Sequence, residues 1–324
     1  MVAKNNGISV IICCYNSANR LPETLKHLAF QNIPRNIKWE IIVINNASTD
    51  NTKEVARSEW NRYDKLDITL NIFDEMKPGL SNARETGVKH SSYEYIIFCD
   101  DDNWLCNDYL FLSYDLLSNN SNFGAVGGQG LPLSTEILPD WFKECGGAYA
   151  VGKQAASTSI VNSRGYLWGS GLAIKKTVYE KAFKNLDSFL IGRKGEQLSS
   201  GEDSEICLRI ILLGYDLYYD SRLTYTHFIE SHKLTNEYFQ GLLDGFGKAS
   251  LINSKYSQLI EVKNMTAMKK ASILVISILR VVRAYLIIEK QKYIHTSITY
   301  ISCILKKNLA KNDIILKRIL KEWA

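Results

Sequence analysis

Tyr93-Glu94-Tyr95-Ile96-Ile97-Phe98-Cys99-Asp100-Asp101-Asp102 runs from an almost continuously apolar stretch straight into three acidic residues. Such a run without alternation reads as a central strand buried on both faces, as in a parallel sheet covered by helices. In an open parallel sheet, ligands bind beyond the carboxyl ends of the strands, so the triplet falls where a site is expected. Three adjacent carboxylates repel one another, and a hard divalent cation, Mn²⁺ or Mg²⁺, would remove that cost. The alternative is an acidic turn that caps a helix over Asn103 to Leu117.

Working outward, Ile8 to Cys14, Glu40 to Ile44 and Ile68 to Phe73 are further strand-like runs separated by helical patterns. A helix starts near Leu21-Pro22-Glu23, Asp50 is placed to cap the next, and Lys77-Pro78-Gly79-Leu80-Ser81 breaks the chain before a helix that runs to about Lys89. From about 103 to 200 the periodicity weakens. Glycines gather in Gly124 to Gly130, Gly146-Gly147 and Trp168-Gly169-Ser170-Gly171, which predicts loops around a second, mixed part of the sheet. A helix returns at Gly201 to Leu213, closed by Gly214, and after about 235 the pattern is helical throughout. The fold expected is α/β: a mixed, mainly parallel central sheet with helices on both faces over 1–235, plus a C-terminal helical appendage, basic and amphipathic, over 236–324.

The chain has 324 residues, 46% of them hydrophobic, enough for one large core plus an appendage. Its seven cysteines show no paired zinc spacing and read as reduced, mostly buried thiols. The N-terminus runs into a strand with no long apolar stretch, so no secretory signal is read there and a cytoplasmic setting is expected. Residues 261–324 carry 13 Lys and Arg against 4 Asp and Glu, a net +9, leaving −4 on the first 260. Basic character confined to the tail argues against a nucleic-acid-binding main domain. In that tail the charge-free run Ala271 to Leu279 is far shorter than the roughly 20 residues of a membrane span. Arg280, Arg283 and Ala284 to Ile288 follow, then Tyr293 to Leu305 and Ile314 to Leu320. Basic helices with one apolar face suit the surface of an anionic membrane, which gives a peripheral protein; otherwise they pack on the main domain or on a second subunit as a homodimer.

Gly201-Glu202-Asp203-Ser204-Glu205 opens the helix whose Ile206, Ile210 and Leu213 face inward. A carboxylate there is stabilised by the helix dipole and could accept a proton from an attacking hydroxyl; equally, acidic first turns are ordinary, and Glu205 with Arg209 reads as an i,i+4 surface pair. Arg84, Arg193-Lys194 and His227 could face phosphates or a metal, although lone residues of these types are more often structural.

The pattern resembles the inverting glycosyltransferases of family 2, with the nucleotide-diphospho-sugar transferase fold built on a single Rossmann-like sheet. The matching stretches are Ile8 to Asn16, Ile41 to Asp50, Gly79 to Arg84, Asp100 to Asp102 and Gly201 to Asp203, in order across about residues 7 to 232. The resemblance implies a nucleotide-sugar donor whose nucleoside is held by Tyr15, Asn16, Asn45 and Asn46, with Arg84, Asp100 and Asp101 also on the donor side. It implies Asp102 as metal ligand, Asp100 on ribose or metal-bound water, and His227 near the metal or diphosphate. Asp203 would be the general base, Glu202 would position the acceptor or tune its neighbour, and Trp168 could be an acceptor platform or a core residue. The chain has Asn45 where many relatives have aspartate, so the nucleobase is left open, and Glu85 where many have asparagine. The acceptor expected is a glycan or a lipid-linked sugar, in cell-surface polysaccharide or glycolipid assembly. A polyprenyl-phosphate acceptor and a noncatalytic nucleotide-sugar-binding protein are the rivals. A nicotinamide-dependent dehydrogenase is a poorer reading still, because Cys14-Tyr15-Asn16-Ser17 has no glycine-rich phosphate loop.

Overall fold

The structure is a computed structural model that describes residues 5–63, 67–194, 198–286, 291–307, 309–310 and 313–323. Strands β1 (Gly7–Cys14), β2 (Lys38–Asn45), β3 (Thr69–Asp74) and β4 (Tyr95–Asp100) are rich in β-branched residues and pair in parallel in the order β3-β2-β1-β4. Helices α1 (Leu21–Ala29), α2 (Thr52–Trp60) and α3 (Leu80–His90) are the crossovers. Alternation within β1 assigns the faces: Ile8, Val10 and Ile12 join the core of α1 and α2, while Ile11 joins that of α3. Burial on both sides is why the strands read as unbroken apolar runs.

The other half of the sheet continues β4-β8-β6-β9-β5, using β5 (Asn103–Leu105), β6 (Phe123–Leu133), β8 (Ala173–Lys175) and β9 (Asp216–Phe228), with β7 (Ser159–Ile160) beside β9. Here β8 is antiparallel to β4 and β6, β5 is antiparallel to β9, and the long β6–β9 pairing is parallel. Helices α4 (Tyr109–Asn119), α5 (Phe142–Cys145), α6 (Lys176–Phe183) and α7 (Glu202–Leu212) belong to this half. The expected mixed sheet with flanking helices is therefore present.

Three local expectations change. The helix after the acidic triplet starts at Tyr109, because Asn103 to Leu105 are drawn into β5; the triplet caps no helix. Gly124 to Gly130 lie inside β6 rather than in a loop, since a Cβ at Gly128 would stand 1.6 Å from the Leu223 carbonyl oxygen and one at Gly130 2.1 Å from that of Ala150. Glycine there permits close backbone approach, and β6 bulges beside it. Asp50 serves the start of α2 from outside it, its Oδ1 accepting from the Thr52 N–H at 3.1 Å.

The C-terminal helices α8 (Asn236–Asn264), α9 (Ala267–Leu286), α10 (Gln291–Leu305) and α11 (Ile314–Trp323) follow. Thr235 caps α8, its Oγ1 accepting from the Tyr238 N–H. Leu316, Ile319, Leu320 and Trp323 of α11 bury their apolar stripe against Tyr256, Leu259 and Val262 of α8, in a core that also includes Leu208 of α7. That stripe is spent on packing. On α9 the apolar side chains Val275, Ile276, Ile278, Leu279 and Val282 remain exposed. Among the described residues no helix is long and apolar enough to cross a membrane; Ile287 and Ile288 of the second apolar run lie outside those residues. All seven cysteines are free, and Cys14, Cys99, Cys207 and Cys303 are buried.

Helix α3 seats on β1 only because residue 87 has no side chain: a Cβ there would meet Ile11 Cγ2 at 2.3 Å. Gly87→Ala should therefore destabilise the fold by about 1–3 kcal/mol in urea unfolding, although alanine is the better helix former by about 1 kcal/mol; a gain in stability would refute this packing account.

Candidate active site

The carboxyl ends of β1 and β4, the start of α7 and one face of α8 enclose a cavity of about 1100 Å³. The register of the sheet decides what meets there. Asn103 in β5 stands opposite His227 in β9, and the Phe228 N–H donates to the Asp102 carbonyl, so Asp102 and His227 become neighbours.

The three carboxylates of the triplet do not converge. Asp100 accepts from Asn103 Nδ2 and Ser170 Oγ, both at 2.8 Å. Asp101 pairs with Arg20 at 2.7 Å. Asp102 accepts from Lys233 Nζ at 2.8 Å, with His227 Nε2 at 3.5 Å. The repulsion expected from three adjacent acids is thus relieved by divergence and by two of the protein's own cations, so crowding alone does not call for a metal. Burial pushes Asp102 up, yet Lys233 and His227 outweigh it and hold the carboxyl well below its usual range. Burial and the charge of Asp102 leave Asp101 raised despite Arg20.

Among the described residues no group of three or more His, Cys, Asp or Glu side chains could hold a metal ion. Asp102 and His227 are still a fitting donor pair. His227 Nδ1 lies 2.6 Å from the Tyr149 carbonyl oxygen, which can only accept, so Nδ1 carries a proton. When the ring carries that proton alone, Nε2 turns its lone pair toward Asp102, the arrangement of metal-bound imidazoles. Mn²⁺ or Mg²⁺ could use these two ligands with phosphate and water oxygens.

Across the cavity, Gly201 adopts a left-handed φ of 94°, and a Cβ there would strike Ala249 on α8 at 2.6 Å; only glycine starts α7 in this place. Asp203 then projects into the cavity with both oxygens oriented by backbone, accepting from the Gly169 N–H at 3.0 Å and the Ser204 N–H at 2.7 Å. Burial raises its pKa in spite of Arg84 and these donors. Glu202 is pushed up to about 7 by burial, with Arg84 opposing and Asp203 adding, and its Oε2 has no hydrogen-bond partner among the described residues. Buried Arg84 lies between Asp100 Oδ1 at 3.9 Å and Glu202 Oε1 at 3.4 Å, over the ring of Phe98.

Tyr15, Asn16, Asn46, Trp168 and Arg193 also line the cavity; Asn45 and Lys194 do not. Asn45 donates to Asp74 Oδ1, and Asn46 spends its amide on Glu75, Lys77 and Gly79, fixing the loop before α3. Asn16 accepts from the Thr49 N–H. Trp168 is buried, with the Arg164 guanidinium over its ring. Glu205 and Arg209 form an i,i+4 pair, but a fully buried one: Glu205 accepts from the N–H groups of Phe189 and Leu190, and Arg209 donates to the carbonyls of Ala182 and Asp187. They anchor the segment that leads to Arg193. Arg20, Ser170 and Lys233 were not legible as site residues, because no local pattern marks them.

Fold and site together define a nucleotide-sugar-transferase-type architecture. Residues 9–130 match the family described as "Glycosyl transferase family 2". The chain is 33% identical over 122 residues to the poly-beta-1,6-N-acetyl-D-glucosamine synthase of Staphylococcus epidermidis, a match that covers 38% of this chain and 28% of that protein. Among solved structures, TarS residues 1–349 of S. aureus with UDP-GlcNAc superposes with a TM-score of 0.55 at 15% identity, covering 93% of this chain and 82% of that one. The mannosyltransferase PcManGT of Pyrobaculum calidifontis with GDP-Man and Mn²⁺ gives 0.52 at 17% identity, covering 96% and 89%. At such identities these two likenesses establish the fold.

The Glu202 carboxyl, near 7 in the folded chain against an ordinary 4.5, favours folding while protonated. Its contribution is complete below about pH 4.5 and lost as pH rises through about 7. Relative to Glu202→Gln, the unsubstituted chain should therefore lose stability between pH 5 and pH 8 in parallel urea titrations. A pH-independent difference would show that Glu202 titrates normally.

Proposed function

We propose that the protein transfers a sugar with inversion from a nucleotide-diphosphate donor to an acceptor hydroxyl, in the assembly of a cell-surface polysaccharide or glycolipid. One observation carries the reading: a half-buried, backbone-oriented Asp203 and the Asp102–His227 pair open on the same cavity. Oδ1 accepts from both the N–H and the hydroxyl of Ser204, whereas Oδ2 keeps a lone pair after accepting the Gly169 N–H, so the carboxylate can take the acceptor proton there as the hydroxyl attacks, and its raised pKa suits that task. Arg84 holds Glu202 beside it, and Glu202 Oε2, without a partner among the described residues, is available to an acceptor hydroxyl. Asp102 and His227 Nε2 would hold Mn²⁺ or Mg²⁺, whose chemistry is to offset the charge on the departing diphosphate. Arg193, at the cavity wall, adds a protein cation on that side. The UDP-GlcNAc and GDP-Man of the structural neighbours support a nucleotide-sugar donor while differing in base and sugar.

Asp203→Asn keeps the size of the residue and removes its basicity. Turnover should fall by about 10²-fold or more on a hydroxyl acceptor, while thermal stabilisation by the donor that the unsubstituted protein binds is retained. Normal turnover would remove Asp203 from the role and favour an acceptor that is already anionic, such as a polyprenyl phosphate.

The exposed apolar face of α9, flanked by Lys269, Lys270 and Arg280, supports docking on an anionic membrane surface that would present a lipid-linked acceptor. The full chain should sediment with anionic liposomes at low salt, and Ile276→Glu with Leu279→Glu should abolish this. Sedimentation unaffected by the two substitutions would exclude α9 as the contact.

A further inference from the structure

Asp102 Oδ2 faces two groups of opposite chemistry. His227 Nε2 approaches the same oxygen to 3.5 Å, and when the ring carries only its Nδ1 proton, carboxylate and imidazole offer a cation two donors at one point. Lys233 supplies such a cation, its Nζ donating to the same oxygen at 2.8 Å. Asp102 is 5% and Lys233 8% exposed, so this is not a screened surface contact. The lysine is fixed at its backbone, where its carbonyl accepts from the Tyr149 hydroxyl at 2.8 Å, and Tyr149 also offers the carbonyl that orients His227. The short turn Ser231–Leu234 thus delivers an ammonium to the oxygen a divalent ion would take. Two cations on one desolvated oxygen repel strongly, so they exclude one another.

We propose that Lys233 is a resident cation of the Asp102–His227 site, which closes that site to a bare divalent ion and yields it only when a nucleoside diphosphate arrives with the metal. The inference rests on the metal reading given above. Two features make the exchange depend on the nucleotide. The described protein side chains offer only a two-residue ligand set, too few for a hard six-coordinate ion without phosphate oxygens. The displaced ammonium must also keep a counter-charge. Glu230 Oε2, 3.7 Å from Nζ, provides part of it, and the phosphates would provide the rest. Lys233 is then a positioning residue that makes metal and nucleotide bind together.

The test is Mn²⁺ uptake by the full chain, followed by the electron paramagnetic resonance signal of the free ion, alone and with UDP or GDP. The unsubstituted protein should bind Mn²⁺ at least about tenfold more tightly with its cognate diphosphate than without. Lys233→Met should bind bare Mn²⁺ about tenfold or more tightly than the unsubstituted protein and lose most of the nucleotide dependence, whereas Lys233→Arg, which keeps a cation, should behave as the unsubstituted protein. Tight binding of bare Mn²⁺ by the unsubstituted protein overturns the proposal even if Lys233→Met does not fold. Equal bare-metal affinities in two folded proteins overturn it as well. Absence of Mn²⁺ uptake by every form with both nucleotides is a different result, and sinks the metal reading together with this one.

Discussion

The guanidinium of Arg84 joins the two halves of the site. It is buried on α3, over Phe98 of β4, with Asp100 at the strand end on one side and Glu202 at the start of α7 on the other. A charge so placed must be matched, and both carboxylates come from chain segments distant in sequence. Glycine at residue 169 leaves room for that guanidinium, since a Cβ there would stand 2.5 Å from Arg84 Nη2 and push it aside. The Gly169 N–H in turn orients Asp203. Asp203, Glu202 and Asp100 are therefore referred to one buried cation, and the raised pKa of Glu202 records how far burial prevails over Arg84's attraction.

Charge compensation by the protein itself extends to the rest of the triplet. Arg20 on Asp101 and Lys233 on Asp102 let three consecutive acids exist at the edge of an apolar core without an added ion. Repulsion among neighbours in sequence is thus a weak argument for a metal once the side chains diverge. The stronger argument is the donor pair, an imidazole nitrogen with its other N–H held by a carbonyl and a carboxylate 3.5 Å away.

The C-terminal helices divide their work. One face of α8 walls the cavity, and Gly245 lets it close on the loop before α7, where a Cβ would stand 2.0 Å from the Leu198 carbonyl oxygen. The amphipathic stripe of α11 is consumed in packing against α8. Among the described side chains of α9, Ser277 is buried while Val275, Ile276, Ile278 and Leu279 face outward, a distribution that suits an apolar neighbour better than water.

Strands β1, β2 and β4, the loops at their carboxyl ends and the glycine-bounded helix α7 were legible in the sequence. Each of these is written in a local pattern: unbroken β-branched runs for strands buried on both faces, and Gly201 and Gly214 at backbone positions with positive φ. It also gave Asp102, Glu202, Asp203 and His227 as candidates. It gave neither the glycine-rich strand β6, where close backbone contact outweighs propensity, nor the buried state of Glu205 and Arg209, whose i,i+4 spacing is the same inside a core as on a surface. The partners of the acidic triplet were decided by tertiary structure alone. Lys233 lies 131 residues from Asp102 and Arg20 lies 81 from Asp101, and they meet because β9 pairs with β5 in one register and α1 packs beside that edge. Local periodicity reports which face of an element is buried; which charge comes to rest against which is fixed only when the sheet closes.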